Sequence, residues 1–397
     1  MKRTVIVLLW IIISIYNSVA QEKKCQIHSD LPGGNIIIGK MSNDTIWLKP
    51  DLRDTKGNWF YWYFKITGIS GRTIYFQFTK QDVFTKYGPA YSINNDNNWK
   101  WYGENSYAHN GFKYTFSKKD TCAYFSMAFP YTQKNLYTFL NNLRNKDLLK
   151  IDTLCFTKNN RAVEEIYILP SHDPQYRVLI TSRHHACEMA ANYVIEGITQ
   201  SITNETDLQF LRDYVEFRII PFVDKDGVED GDQGKNRKPR DHNRDYGDNS
   251  IYQSVKAIKS TIPGWSEGIL KIALDIHCPW IKGGNSENIY LVGSENKVNE
   301  QQQILFSDLL EKNCTGELNF YRKYFMCFGK AWNTNKNYHE GISFKRWATT
   351  IEGIALSTSM EFPYANVSGA PVTKDGARAF GKAIAYSMMD YLKLLDE

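Results

Sequence analysis

The sequence predicts an all-β sandwich domain followed by an α/β domain built on a mixed, largely parallel sheet with helices on both faces. Three observations predict it. Residues 25 to about 127 carry short β-branched and aromatic runs bounded by Gly, Asn and Asp. From Phe129 the texture changes, and apolar strands alternate with segments of helical period, the pattern of an α/β layer fold. The chain then closes on a helical stretch from Lys374 to Leu395.

The elements follow in order. Lys2 and Arg3 precede an apolar run from Thr4 to Tyr16 and the small residues of Asn17-Ser18-Val19-Ala20. That is the order of a secretory signal peptide over residues 1–20, too short and wrongly flanked for a transmembrane helix. A mature chain is expected to start near Gln21 and to be secreted or periplasmic. The sandwich domain is assigned to residues 21–127. Trp59-Phe-Tyr-Trp-Tyr-Phe-Lys-Ile and Thr73-Ile-Tyr-Phe-Gln-Phe-Thr read as strands, with turns at Pro32-Gly-Gly, Asn94-Asn-Asp-Asn-Asn and His109-Asn-Gly. The second domain, 128–397, starts with a helix over Thr132 to Asn145 that puts Leu136, Phe139, Leu140 and Leu143 on one face. Strands follow at Arg177 to Thr181, Tyr214 to Pro221 and Leu270 to Ile276, with a helix at Ala186 to Ile198.

Composition bounds the function. The 397 residues are 42% apolar and 23% charged, an ordinary globular balance. The net charge of +5 comes without a Lys/Arg block, so nucleic-acid binding has no compositional support. The aromatic β region could offer a carbohydrate-binding face, but such side chains more often fill a core. Seven cysteines, Cys25, Cys122, Cys155, Cys187, Cys278, Cys314 and Cys327, leave at least one thiol unpaired within the chain. The candidate disulfides are Cys187 with Cys278 and Cys314 with Cys327.

The chemistry concentrates in three segments. Ser182-Arg-His-His-Ala-Cys-Glu-Met follows a strand and is expected to open a helix. A separation of three puts an imidazole and Glu188 on one side of a helical turn. His277, in Leu274-Asp-Ile-His-Cys, ends a strand, where open α/β sheets place their ligands. Two His, one Glu and an open position make a catalytic zinc set. Either His184 or His185 can serve as the first ligand on spacing alone. The third segment runs from Phe217-Arg-Ile-Ile-Pro-Phe-Val-Asp-Lys-Asp-Gly-Val through Asn236-Arg237 to Asp241-His-Asn-Arg-Asp-Tyr.

Taken together, these motifs resemble the M14 zinc metallocarboxypeptidases over about residues 45 to 397, and most closely their cytosolic-carboxypeptidase-like branch. That branch carries an N-terminal β-sandwich and a Phe-Pro-Tyr-Thr stretch, found here as Phe129-Pro-Tyr-Thr. The resemblance implies one Zn2+ held by His185, Glu188 and His277, with Asp241 orienting a ligating imidazole. It implies Glu361, in Ala355-Leu-Ser-Thr-Ser-Met-Glu-Phe-Pro, as general base. It implies Asn243 and Arg244 as the clamp on a free α-carboxylate, and Arg237 as the arginine beside the scissile carbonyl, with Arg240 as its competitor. Where the family often carries a mobile tyrosine over the substrate, this chain has His339 with Tyr338 beside it. Counting back from Glu361 to the base of the specificity pocket reaches Arg346, which would favour an acidic C-terminal residue. The chain departs from the family's usual Asn-Pro-Asp-Gly at Asp224-Lys-Asp-Gly and from His-Pro-Gly-Glu at His185-Ala-Cys-Glu188.

The expected activity is hydrolysis of the C-terminal bond of a peptide. The rivals are a zinc amidase acting on cell-wall peptides or acylated amino acids, and a non-catalytic binding protein. The M14 architecture tolerates both enzymes.

Overall fold

The computed structural model describes residues 25–396, so the expected signal peptide at 1–20 lies outside the described residues. Its first third holds two sheets. Strands β1 (Gln26–His28), β4 (Tyr63–Thr67), β9 (Cys122–Ser126), β6 (Ala90–Ile93) and β7 (Lys100–Trp101) form an antiparallel sheet in that order. Strands β2 (Ile37–Met41), β3 (Thr45–Lys49), β5 (Thr73–Phe78) and β8 (Gly111–Thr115) form the other, in which β3 and β5 run parallel. Alternate residues of each strand point inward. Phe64 on β4 meets Phe76 on β5 with ring centroids 5.7 Å apart, and Phe125 on β9 meets Phe112 on β8 at 5.2 Å. The aromatics of this region are therefore largely core.

The expected strand at Trp59 begins only at Tyr63. The preceding residues are spent on tertiary contacts: the Tyr61 N–H donates to the Gln233 side chain at 2.8 Å, and the Trp62 indole donates to the Val83 carbonyl at 2.7 Å.

The rest of the chain is mixed α/β. Strands β10 (Leu149–Phe156), β11 (Ala162–Ile168), β12 (Tyr176–Ser182), β13 (Val215–Ile220), β14 (Leu270–His277), β15 (Tyr290–Val292) and β16 (Leu356–Glu361) build one seven-stranded sheet. Their order is β10-β11-β13-β12-β14-β16-β15. The four central strands are parallel, and the flanking β11, β10 and β15 pair antiparallel. The longer helices are α1 (Gln133–Asn142), α2 (Ala190–Asn204), α3 (Gln253–Ser266), α4 (Lys297–Asn313) and α5 (Lys374–Leu394). They cover both faces of the sheet. Val178 and Ile180 of β12 join one core with Ile198 of α2 and Ile384 of α5, whereas Leu179 between them joins another with Val255 and Ile258 of α3. Helices α2 and α5 cross at Gly197 and Gly381, where a Cβ would stand 2.1 Å from the Arg378 carbonyl oxygen and 2.2 Å from that of Val194.

Neither candidate disulfide is formed: all seven cysteines are free. The Cys187 thiol instead lies 3.5 Å from the Tyr364 hydroxyl, and that of Cys314 donates to the Leu318 carbonyl at 3.1 Å. No described helix is long and apolar enough to cross a membrane.

Candidate metal centre

The His185 segment is a turn rather than the first turn of a helix. Strand β12 ends at Ser182 and α2 starts only at Ala190, so the helix expected from Ala186 begins four residues later. Within the turn the Glu188 N–H donates to the His185 carbonyl at 3.2 Å, and the Cys187 N–H donates to the Gln233 carbonyl at 3.1 Å. The outcome for the side chains is the one a helical turn would give. His185 Nδ1 lies 2.9 Å from Glu188 Oε1, and His277 Nδ1 lies 2.8 Å from Glu188 Oε2. One ligand atom from each of these three residues falls within 4.8 Å of the others.

The far side of each ring is also engaged. His185 Nε2 lies 3.0 Å from Asp241 Oδ2, and His277 Nε2 lies 2.5 Å from Asp275 Oδ2. A ring that donates Nε2–H to a carboxylate keeps its Nδ1 lone pair for a cation, which is the arrangement typical of ligating histidines. Burial disfavours the Asp241 and Asp275 carboxylates, but the neighbouring imidazoles outweigh it and hold both below the usual range. The donor set of two imidazoles and one carboxylate suits a divalent metal of the zinc type.

His184, Asp275 and His277 form a second group of ligand spacing. There His184 is fully buried, with Nδ1 2.9 Å from Asp275 and Nε2 2.7 Å from the Tyr246 hydroxyl, so both ring nitrogens have partners. His185 is the one of the two that lines the cleft.

Strand register fixes the fourth group. His277 and Glu361 are paired across β14 and β16, at the ends of adjacent parallel strands. Both side chains face a cleft of about 360 Å³. Glu361 is buried, its Oε2 has no hydrogen-bond partner, and burial pushes its carboxyl up to about 7. Asn243, Arg244 and Tyr338 line the same cleft. The Asn243 carboxamide accepts from the Phe344 N–H at 2.9 Å and lies 3.1 Å from His277 Nε2. Arg244 donates to the Asn337 carbonyl at 3.2 Å, and its guanidinium stands 5.2 Å from the centroid of the Tyr338 ring. The Tyr338 hydroxyl donates to Asn333 at 3.0 Å.

Two sequence expectations are displaced. Arg237 does not line the cleft: it pairs with Asp232 at 2.8 Å and with Asp224, and lies 3.7 Å from Asp54. Arg240 points away as well, to Asp245 at 2.7 Å. Arg346 stands behind Tyr338, 4.0 Å from its ring centroid, and pairs with Glu295 at 2.7 Å. Its neighbour Lys345 is buried against the Val292 and Gly293 carbonyls, and burial pushes its ammonium down to about 7.

Other residues around the site have no role assigned by the motifs. Asp275 lies two positions before His277, so both side chains fall on one face of β14, and an Asp-x-His strand end would have flagged it. Lys235, Trp59 and Trp280 also line the cleft, and the two indoles stand 5.4 Å apart. Their placement depends on how the loop after Asp224 folds onto the first third of the chain.

With this geometry in view, the likenesses to known proteins are informative. No family model matches the chain. Cytosolic carboxypeptidase 3 of Bos taurus is 27% identical over 324 residues, covering 69% of this chain and 31% of its own length. Cytosolic carboxypeptidase 6 of Caenorhabditis elegans is 26% identical over 294 residues, 66% of this chain and 63% of its own. The chain thus spans only about a third of the length of the bovine and murine carboxypeptidases it matches. Among solved structures, a metallo-carboxypeptidase of Burkholderia cenocepacia matches 94% of this chain and 100% of its own with a TM-score of 0.74 at 18% identity. A metallo-carboxypeptidase of Pseudomonas aeruginosa, in complex with (2-guanidinoethylmercapto)succinic acid, matches 93% and 100% with a TM-score of 0.73 at 15% identity. The fold is that of the metallo-carboxypeptidases of the M14 type. In sequence the chain is similar to the cytosolic carboxypeptidases, as its motifs implied.

Proposed function

We propose that this protein is a zinc-dependent metallocarboxypeptidase that hydrolyses the C-terminal bond of peptides. The observation that carries the reading is the meeting, in one cleft, of the His185/Glu188/His277 group, the unpartnered Glu361 carboxyl and the Arg244 guanidinium.

His185, Glu188 and His277 would hold the metal, and Asp241 and Asp275 hold the two rings in orientation. A divalent cation there supplies Lewis-acid polarisation of the scissile carbonyl and acidifies water. Arg244 binds the free α-carboxylate of the substrate bidentately, which restricts cleavage to the last bond. Glu361 accepts a proton from the attacking water as its oxygen bonds to the carbonyl carbon, then passes that proton to the amine nitrogen as the C–N bond breaks. A carboxyl with one free, buried oxygen near neutral affinity is suited to both transfers.

The preference for an acidic last residue belongs to the same reading. Arg244 lines the cleft and Arg346 does not, but both stand over the Tyr338 ring, 5.2 and 4.0 Å from its centroid, and add positive charge at that end, of which Glu295 offsets part. We also infer that residues 21–127 form a sandwich domain, 128–397 the zinc domain, and that the chain is exported after loss of residues 1–20. The contacts of Phe64 with Phe76 and of Phe125 with Phe112, each made between the two sheets, support the first inference.

The test is zinc stoichiometry on the purified chain, followed by a peptide panel that varies only the last residue. One zinc and stepwise C-terminal shortening are expected, fastest after Glu or Asp, with Arg346→Ala levelling the preference. Release of acyl groups from acylated amino acids without peptide shortening would replace this reading with the amidase.

A further inference from the structure

Hydrolysis of an amide builds negative charge on the carbonyl oxygen, and a fixed cation beside it lowers the barrier. Neither loop arginine is placed to act there. Turning Arg237 into the cleft would break its pairs with Asp224 and Asp232 and leave buried carboxylates uncompensated. Arg240 is tied to Asp245 and to the Asn249 carbonyl.

Lys235 lies two residues before Arg237 in the same loop and does line the cleft. Its Nζ is 2.6 Å from Glu188 Oε1 and donates to the Cys278 carbonyl at 2.9 Å. Cys278 directly follows His277, so this ammonium touches both sides of the candidate metal centre. Its side chain is 13% exposed, and the Trp59 ring covers it at 5.6 Å. Among the lining residues only Lys235 and Arg244 carry a permanent positive charge, and Arg244 is held at the Tyr338 side. We propose that Lys235 is the catalytic cation of this cleft, donating a hydrogen bond to the scissile carbonyl oxygen as charge develops on it.

A lysine suits the position. Three N–H donors on a flexible stem let one stay on the Cys278 carbonyl while another turns to the substrate. The competing role is a purely structural anchor for Glu188, and the two differ in what they do to metal binding. Removing an anchor loosens a ligand and weakens the metal. Removing a positive charge from beside a divalent cation leaves metal affinity equal or raises it.

The inference rests on the hydrolase reading above, and one experiment separates them. Zinc affinity of the full chain is measured by competition with a chromophoric chelator, and kcat and KM are measured on a peptide ending in Glu, for wild type, Lys235→Met and Lys235→Arg. The expected result is on the order of a 100-fold loss of kcat in Lys235→Met, the cost of one such donor, with KM little changed and zinc bound at least as tightly. Lys235→Arg should recover a substantial part of kcat. A Lys235→Met protein that keeps most of its kcat, or that binds zinc distinctly more weakly, overturns the proposal. Wild-type protein that binds zinc but shortens no peptide overturns the hydrolase reading and this inference with it.

Discussion

Each imidazole offered to the metal is gripped from behind by a carboxylate, and that pairing sets what single substitutions should do. His277→Ala is expected to abolish stoichiometric zinc and activity together, read by metal analysis of the dialysed protein; full zinc occupancy in that variant would sink the ligand assignment. Asp241→Asn and Asp275→Asn should each retain zinc, but with affinity lower by about 10–100-fold, because an amide orients the ring less firmly. Glu361→Gln keeps shape and removes the base, so zinc and fold should persist while single-turnover cleavage falls by far more than tenfold, about 1.4 kcal/mol of barrier. The meeting of His185 and Glu188 was legible in their spacing, whereas Asp241, Asn243 and Arg244 were singled out only through the family resemblance. Lys235 was not singled out, since nothing in Gly-Lys-Asn-Arg tells which of two cations turns inward. The choice is made by Asp54, Asp224 and Asp232, which come from separate stretches of chain and capture Arg237.

The elements that carry these residues are strand ends and the turns that leave them. Period and composition revealed the central strands, because fully buried parallel strands read as apolar runs. Strands β12, β13 and β14 lie within a residue or two of expectation. The start of α2 did not follow, because the Cys187 and Glu188 N–H groups are taken by the carbonyls of Gln233 and His185 and the chain stays in a turn through Met189. That turn leans on Gly234, whose φ is +77° and whose Cβ, if present, would stand 2.1 Å from the Ala186 nitrogen. Gly234→Ala should therefore cost at least about 1–3 kcal/mol in urea unfolding and displace His185, weakening zinc in the same variant. A stable Gly234→Ala protein with undiminished zinc affinity would show that the turn holds its shape without this contact.

At the scale of the molecule, the loop that follows Asp224 is held from the first third of the chain. The Gly33 N–H donates to the Glu229 carbonyl at 2.8 Å, Asn35 donates to that of Gly231 at 2.7 Å, and the Asp54 carboxylate accepts from the Gln233 and Gly234 N–H groups at 3.1 and 2.8 Å. Gln233 is wholly buried, accepting from the Tyr61 N–H at 2.8 Å and donating to its carbonyl at 2.9 Å. Gln233→Ala strands both backbone groups and should lower stability by about 1–3 kcal/mol per unpaired group in thermal unfolding, and kcat/KM along with it. An equally stable and active variant would mean that water replaces the amide. A chain leaves the ribosome from its N-terminus, and domains tend to fold in that order. Residues 33 to 61 emerge before residues 229 to 244, and in the folded chain they form the surface against which the later loop is held. A copy of the α/β layer grafted elsewhere would carry the loop's sequence without the surface that gives it form.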